Sequence, residues 1–184
     1  MKHRMVCLIF IMTVSCASDY TPKPRAFFKL EFPKKEYHII ESQCPFSFEL
    51  ADYSVLIPTK NNCLFDIDFP ALNGKLYITY LRLRNNLNEH IEQSKKLAYK
   101  HNIVADGITE QLYINDSLNV YGVLYDYEGM TATATQFFLT DSINHFFRGA
   151  LYFNTEVCDS ILPINNFVKQ DIKHLIETFR WKDK

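Results

Sequence analysis

Residues 108–153 read ITEQLYINDSLNVYGVLYDYEGMTATATQFFLTDSINHFFRGALYF, and their periodicity decides the fold. Within 119–127, Tyr121, Val123, Tyr125 and Tyr127 alternate with Gly122, Leu124 and Asp126. That period of two belongs to a strand whose faces meet different surroundings. Residues 108–114 form a strand before it, turned by Asn115-Asp116. Residues 132–140 follow Gly129, and Asp141-Ser142-Ile143-Asn144 turns the chain into 145–153. Links this short join antiparallel neighbours, so the four runs are expected to pair as a meander.

Upstream the period changes to that of a helix. Leu87, Ile91, Ser94, Leu97, Ala98 and His101 share one stripe, giving a helix over 87–101. Asn86-x-x-Glu89 has the form of a capping box, and Glu92 with Lys96 makes an i,i+4 pair. Earlier still, 27–32, 46–50, 55–57 (stopped by Pro58), 63–69 and 75–83 read as strands. Asn61-Asn62 marks a turn, and Asn73-Gly74 predicts a tight hairpin into 75–83. At the other end, Asp159 or Ser160 is expected to cap a helix with Pro163 in its first turn. Ile164, Phe167, Val168, Ile172, Leu175, Ile176 and Phe179 form its wide apolar stripe. Trp181, the only tryptophan, is expected to close one end of the core.

Strands, helix, four strands and helix make an α+β protein, an antiparallel sheet packed by helices. In element order alone this resembles a Mog1/PsbP-type α-β-α sandwich.

The amino terminus carries an address. Met1-Lys2-His3-Arg4 is basic, Met5 to Val14 is apolar, and Ser15-Cys16 follows. This is the layout of an export signal. About ten apolar residues are too few to span a bilayer. A cysteine directly after a small residue marks a lipoprotein signal over 1–15, with Cys16 acylated after cleavage. The alternative is ordinary secretion with Cys16 as a thiol. Residues 16–25, with two prolines and no apolar period, read as a tether, and 26–184 as a single domain. Loss of Lys2 and Arg4 with the signal makes the mature chain more acidic than the −1 of the whole sequence.

Of the five cysteines, Cys7 leaves with the signal and Cys16 takes the lipid. Cys44 and Cys63 each precede a strand-like run and are the expected disulfide in an oxidising compartment. Pairings of Cys158 with either remain open, as do three thiols, because sequence does not fix connectivity.

Composition excludes several classes. With 47% hydrophobic, 22% charged and 15% aromatic residues, the chain has the makings of a packed core. Its near-neutral charge gives no electrostatic case for nucleic acid. There is no phosphate-binding glycine loop, no H-E-x-x-H and no C-x-x-C. Neither a metal nor another cofactor is expected. Asp66 and Asp68 share a strand face and read as a solvated pair, short of the six to eight oxygens around Ca²⁺. Asp141, Ser142 and His145 bring triad residue types together, and Arg148 follows. Adjacent turn residues rarely converge on one point, so the hairpin reading is favoured and no catalytic residue is assigned.

Spaced motifs then support a resemblance along nearly the whole chain. These are Tyr20-Thr21-Pro22-Lys23-Pro24-Arg25, Cys44-Pro45-Phe46-Ser47-Phe48-Glu49, Ser94-Lys95-Lys96-Leu97-Ala98-Tyr99-Lys100-His101, Val120-Tyr121-Gly122-Val123-Leu124-Tyr125, and His145-Phe146-Phe147-Arg148-Gly149-Ala150-Leu151-Tyr152-Phe153. The ending Asp171-Ile172-Lys173-His174-Leu175-Ile176-Glu177-Thr178-Phe179-Arg180-Trp181 fits as well. Together they resemble the gliding motility lipoprotein GldD family of the Bacteroidota. The resemblance implies a lipoprotein required for gliding, a process tied to type IX secretion, with no known catalytic residues.

Two functions follow as expectations. The first is a non-enzymatic, lipid-anchored assembly or scaffold component of the gliding and type IX secretion machinery, facing the periplasm and touching other envelope proteins. The second is an envelope hydrolase or small-ligand binder with a cleft beside the sheet, lined by Asp141, Ser142, His145 and Arg148.

Overall fold

The computed structural model describes residues 30–40, 43–59, 63–100, 105–129, 131–158 and 160–182. The chain divides into two units, Met1–Glu31 and Phe32–Lys184. The signal, Cys16, the tether, residues 27–29 of the first expected strand, Asn61-Asn62, His101 and Asp159 lie outside the described residues. All that follows concerns the second unit.

Its frame is a seven-stranded antiparallel sheet. The strands are β4 (Val55–Pro58), β5 (Phe65–Phe69), β6 (Gly74–Arg82), β7 (Gly107–Asn115), β8 (Val120–Glu128), β9 (Thr131–Thr140) and β10 (His145–Val157). Their spatial order is β4-β5-β6-β10-β9-β8-β7. The meander read over 108–153 is present, with β10 extended to Val157 and centred between β6 and β9. The β5–β6 hairpin turns through a 3-10 segment, Pro70–Leu72, and Asn73 in the left-handed region. Asparagine tolerates that conformation, so Asn73-Gly74 makes the expected reversal in a slightly longer form.

Two helices cover the two faces: α1 (Leu87–Tyr99) and α2 (Leu162–Thr178). Alternation assigns the residues. Ile67, Leu76, Leu124, Phe137, Leu139, Phe147 and Leu151 pack with Val168, Ile172, Leu175 and Ile176 of α2. Tyr125, Tyr127, Phe138 and Phe146 point the other way and pack with Ala98, Leu87 and Ile91 of α1. The central strands β8, β9 and β10 thus carry apolar side chains on both sides, which accounts for much of the aromatic content. Close strand approach needs Gly122, where a Cβ would lie 2.1 Å from the Phe138 carbonyl oxygen.

Several expectations change. Residues 30–36 are not a strand; the first strand among the described residues is β1 (Tyr37–Ile39). Pro33 offers no N–H to a ladder, and Phe32 instead stacks on Phe167 of α2 at 4.4 Å. The run 46–50 splits into β2 (Phe46–Ser47), which pairs with β11 (Arg180–Trp181), and β3 (Glu49–Ala51), which pairs with β1. It changes partner at Phe48, and neither half joins the main sheet; both Phe46 and Phe48 are buried. Asn86 does not form a capping box: its Oδ1 accepts the Arg84 N–H at 2.8 Å, and no side-chain bond caps α1. Helix α2 likewise starts without a side-chain cap, and Ser160 Oγ bonds Cys158 Sγ at 3.0 Å instead.

Cys44 and Cys63 are joined, with Cα atoms 5.3 Å apart. The bond ties the segment leading into β2 to the start of β5. On the same side, Asp171 of α2 receives the Tyr37 hydroxyl at 2.8 Å, the Tyr53 hydroxyl and the Lys35 ammonium. Lys35 also donates to the Phe167 carbonyl at 2.8 Å. One buried carboxylate therefore fastens the entering strap and β1 to the last helix.

Candidate functional site

The C-terminal end of β6 and the β9–β10 turn meet beyond the end of α2, where the chain doubles back as β11. A cleft of about 560 Å³ opens there, lined by Arg82, Ser117, Leu118, Asn119, Asp141, Ile143, Asn144, His145, Trp181 and Lys182. A second hollow of about 250 Å³ shares Arg82, His145 and Lys182, and adds Tyr80, Gln43, Pro45 and the disulfide's Cys63.

The turn is wound around two side chains. Asp141 Oδ1 accepts N–H groups from Ile143 at 3.0 Å, and from Asn144 and His145 at 2.8 Å. Thr140 Oγ1 accepts the Ser142 N–H at 2.9 Å and donates to the His145 carbonyl at 2.7 Å. Ser142 adopts φ 68°, a left-handed position held by these bonds.

The floor is aromatic. Residues that alternate along β6 and β10 put Tyr80 and His145 on the same face, and their side chains meet with Tyr80 Oη and His145 Nδ1 2.8 Å apart. The imidazole stacks on Trp181 at 5.1 Å, and Trp181 stands edge-on to Phe179 at 4.7 Å. Trp181 thus caps the core from β11 and lends its outer face to the cleft. Burial lowers the His145 pKa below its usual 6.5; Arg82 pushes the same way, while Asp141 opposes both. The imidazole is accordingly neutral at neutral pH. Burial raises the Tyr80 pKa, helped by Asp141 and opposed by Arg82, so the phenol stays protonated.

Of the four polar residues singled out in the sequence, the cleft gathers Asp141 and His145. Ser142 is exposed on the turn and does not line it. Arg148 lies three positions beyond His145 on β10, so strand alternation turns it to the α1 face. Tyr80, Arg82, Asn119, Trp181 and Lys182 complete the site. Tyr80 and Arg82 carry a signal in the sequence: they continue the inward-facing parity of Leu76 and Ile78 past the end of the core. Nothing local in the sequence brings Asn119 or Lys182 to the same place.

Among the described residues no three of His, Cys, Asp and Glu gather as ligands for a metal ion. Asp66 and Asp68 stand opposite Tyr77 and Lys75 across the β5–β6 ladder. Also among the described residues, no helix is long and apolar enough to cross a membrane.

Fold and cleft together define an α+β domain with a helix on each face of its sheet and a polar, aromatic-floored recess at one sheet end. The chain matches the family model of gliding motility lipoprotein GldD over residues 17–181, and it belongs to that family. Membership makes it a gliding-motility-related lipoprotein, lipid-anchored and associated with the cell envelope. No curated protein matches the chain.

Proposed function

We propose that this protein is a non-enzymatic assembly or scaffold component of the gliding and type IX secretion machinery. In this reading it is held by an acylated Cys16, faces the periplasm of a Bacteroidota cell, and uses the cleft at the sheet end to touch another envelope protein. The observation that carries the reading is the state of the cleft's acid–base groups. Asp141 Oδ1 is taken up by three backbone N–H groups, and His145 Nδ1 by Tyr80. These contacts hold the turn and the aromatic floor in shape. Here they shape a wall, while Arg82, Asn119, Asn144 and the exposed Ile143 face outward. Aromatic and arginine side chains around a recess are what protein interfaces enrich.

The test is affinity purification of the full chain from detergent-solubilised envelope, alongside Cys16→Ala. Recovery of an identified gliding or secretion component with the parent chain, reduced in the variant, supports the reading. Equal recovery of the same background from both chains contradicts it.

A further inference from the structure

An arginine without an acid stands under α1, on the face of the sheet opposite the cleft. Arg148 lies on β10 beside Thr79 of β6 and Phe138 of β9. Its guanidinium donates to Gln136 Oε1. Among the described residues it makes no ion pair with a carboxylate. Burial lowers its pKa from the ordinary arginine value, and the groups that resist this are the phenols of Tyr152 and Tyr127. A guanidinium has five N–H donors and stays charged in proteins. A cation drawn out of water needs acceptors or a counter-charge, and Gln136 supplies one acceptor.

Space for the missing partner lies alongside. A cavity of about 130 Å³ opens between α1 and the sheet, lined by Thr79, His90, Gln93, Ser94, Phe146 and Arg148 among others. Ser94 is 4% exposed and its side chain lines the cavity. Asn86 Oδ1 accepts the Arg84 N–H, which leaves its Nδ2 to donate to His90 Nε2 at 3.0 Å. With Nε2 accepting from Asn86, the His90 ring presents its N–H on Nδ1. The polar lining is thus rich in donors and contains no carboxylate. Its volume matches about four waters, enough for a carboxylate or phosphate head.

We propose that this cavity is an oxyanion site: a carboxylate or phosphate group seats against the Arg148 guanidinium and takes hydrogen bonds from Ser94, Thr79 and Gln93. The geometry suits planar or tetrahedral oxyanions because a guanidinium presents paired donors. A peptide carboxylate and a phosphorylated molecule share this chemistry. The site is separate from the cleft and does not rest on the scaffold reading.

The test is a titration of the full chain in non-ionic detergent with acetate, inorganic phosphate and chloride at constant ionic strength, followed by the Arg148 Nε–Hε and Ser94 N–H NMR signals. Saturable shifts of both signals with acetate or phosphate, and not with chloride, are expected. Response to acetate alone assigns a carboxylate ligand, and tighter response to phosphate assigns a phosphorylated one. Ser94→Ala, which keeps the helix, is expected to weaken binding about tenfold, as loss of one hydrogen bond to a charged group does. Arg148→Gln is expected to abolish it. If that variant unfolds, Ser94→Ala decides. Three results overturn the proposal: no saturation by either oxyanion, an equal response to chloride, or unchanged affinity in Ser94→Ala.

Discussion

Lys35 and Asp171, 136 positions apart, form an ion pair whose carboxylate side chain is 4% exposed. The carboxylate also holds Tyr37 and Tyr53, so one side chain of α2 secures both the entering strap and the loop after β3. Asp171→Ala leaves an ammonium and two phenols without their acceptor. It is expected to lower stability by about 3 kcal/mol. Lys35→Met, which removes the more exposed partner and keeps an apolar stem over Phe167, is expected to cost less. Urea unfolding measures both, and a larger loss for Lys35→Met would contradict this ordering.

The Cys44–Cys63 bond closes a loop of 19 positions and borders the smaller hollow beside His145. Its removal in Cys44→Ser/Cys63→Ser is expected to reduce stability by about 3 kcal/mol. The midpoint of denaturant unfolding checks this, and an unchanged midpoint would show that the loop is held by its other contacts.

His145 and Trp181 stack, which makes the single tryptophan a reporter of imidazole charge. The folded-state pKa of His145 lies below the unfolded value of 6.5, with burial as the main cause. Above pH 6.5 both states are neutral at this site and no stability difference arises from it. As pH falls through 6.5, the unfolded chain binds a proton that the folded chain resists, so stability drops and then levels below the folded pKa. Trp181 fluorescence in the folded protein is expected to titrate with a midpoint below 6.5, and the change is expected to vanish in His145→Gln. A midpoint at or above 6.5 would contradict burial as the dominant influence.

Gly122→Ala would set a methyl group 2.1 Å from the Phe138 carbonyl oxygen, so β8 and β9 would have to part. Gly149→Ala meets the Phe137 ring at 2.4 Å, where a side chain has to yield. Both are expected to destabilise, by about 2 kcal/mol or more at Gly122. Thermal unfolding of the two variants should rank Gly122→Ala lower.

The meander was legible because each of its strands alternates between two chemically distinct neighbours. Tyr125 and Leu124 belong to different cores, and the sequence shows that as a period of two. The segment around Phe46 and Phe48 was not legible as two pieces. Which strand pairs with Ser47 and which with Leu50 depends on residues more than a hundred positions away and on a nearby return of the chain, and no local pattern encodes that. The turn 140–145 could be read as a turn, and Asp141 with His145 could be placed near each other. The separation of Arg148 was also readable, since three steps along a strand reverse the face. Asn119 and Trp181 could not be placed there, because they reach the cleft only through the order of strands in the sheet and the docking of β11.

The central claim, that the cleft is a contact surface for another envelope protein, is tested most directly by photo-crosslinking in living cells. Ile143 lines the cleft and is 72% exposed; Leu112, at 68%, lies on the edge strand β7 and is not among the lining residues. A crosslinking residue at position 143 is expected to trap a gliding or secretion component, and one at 112 is not. Motile cells in which position 143 captures no such component would contradict the claim.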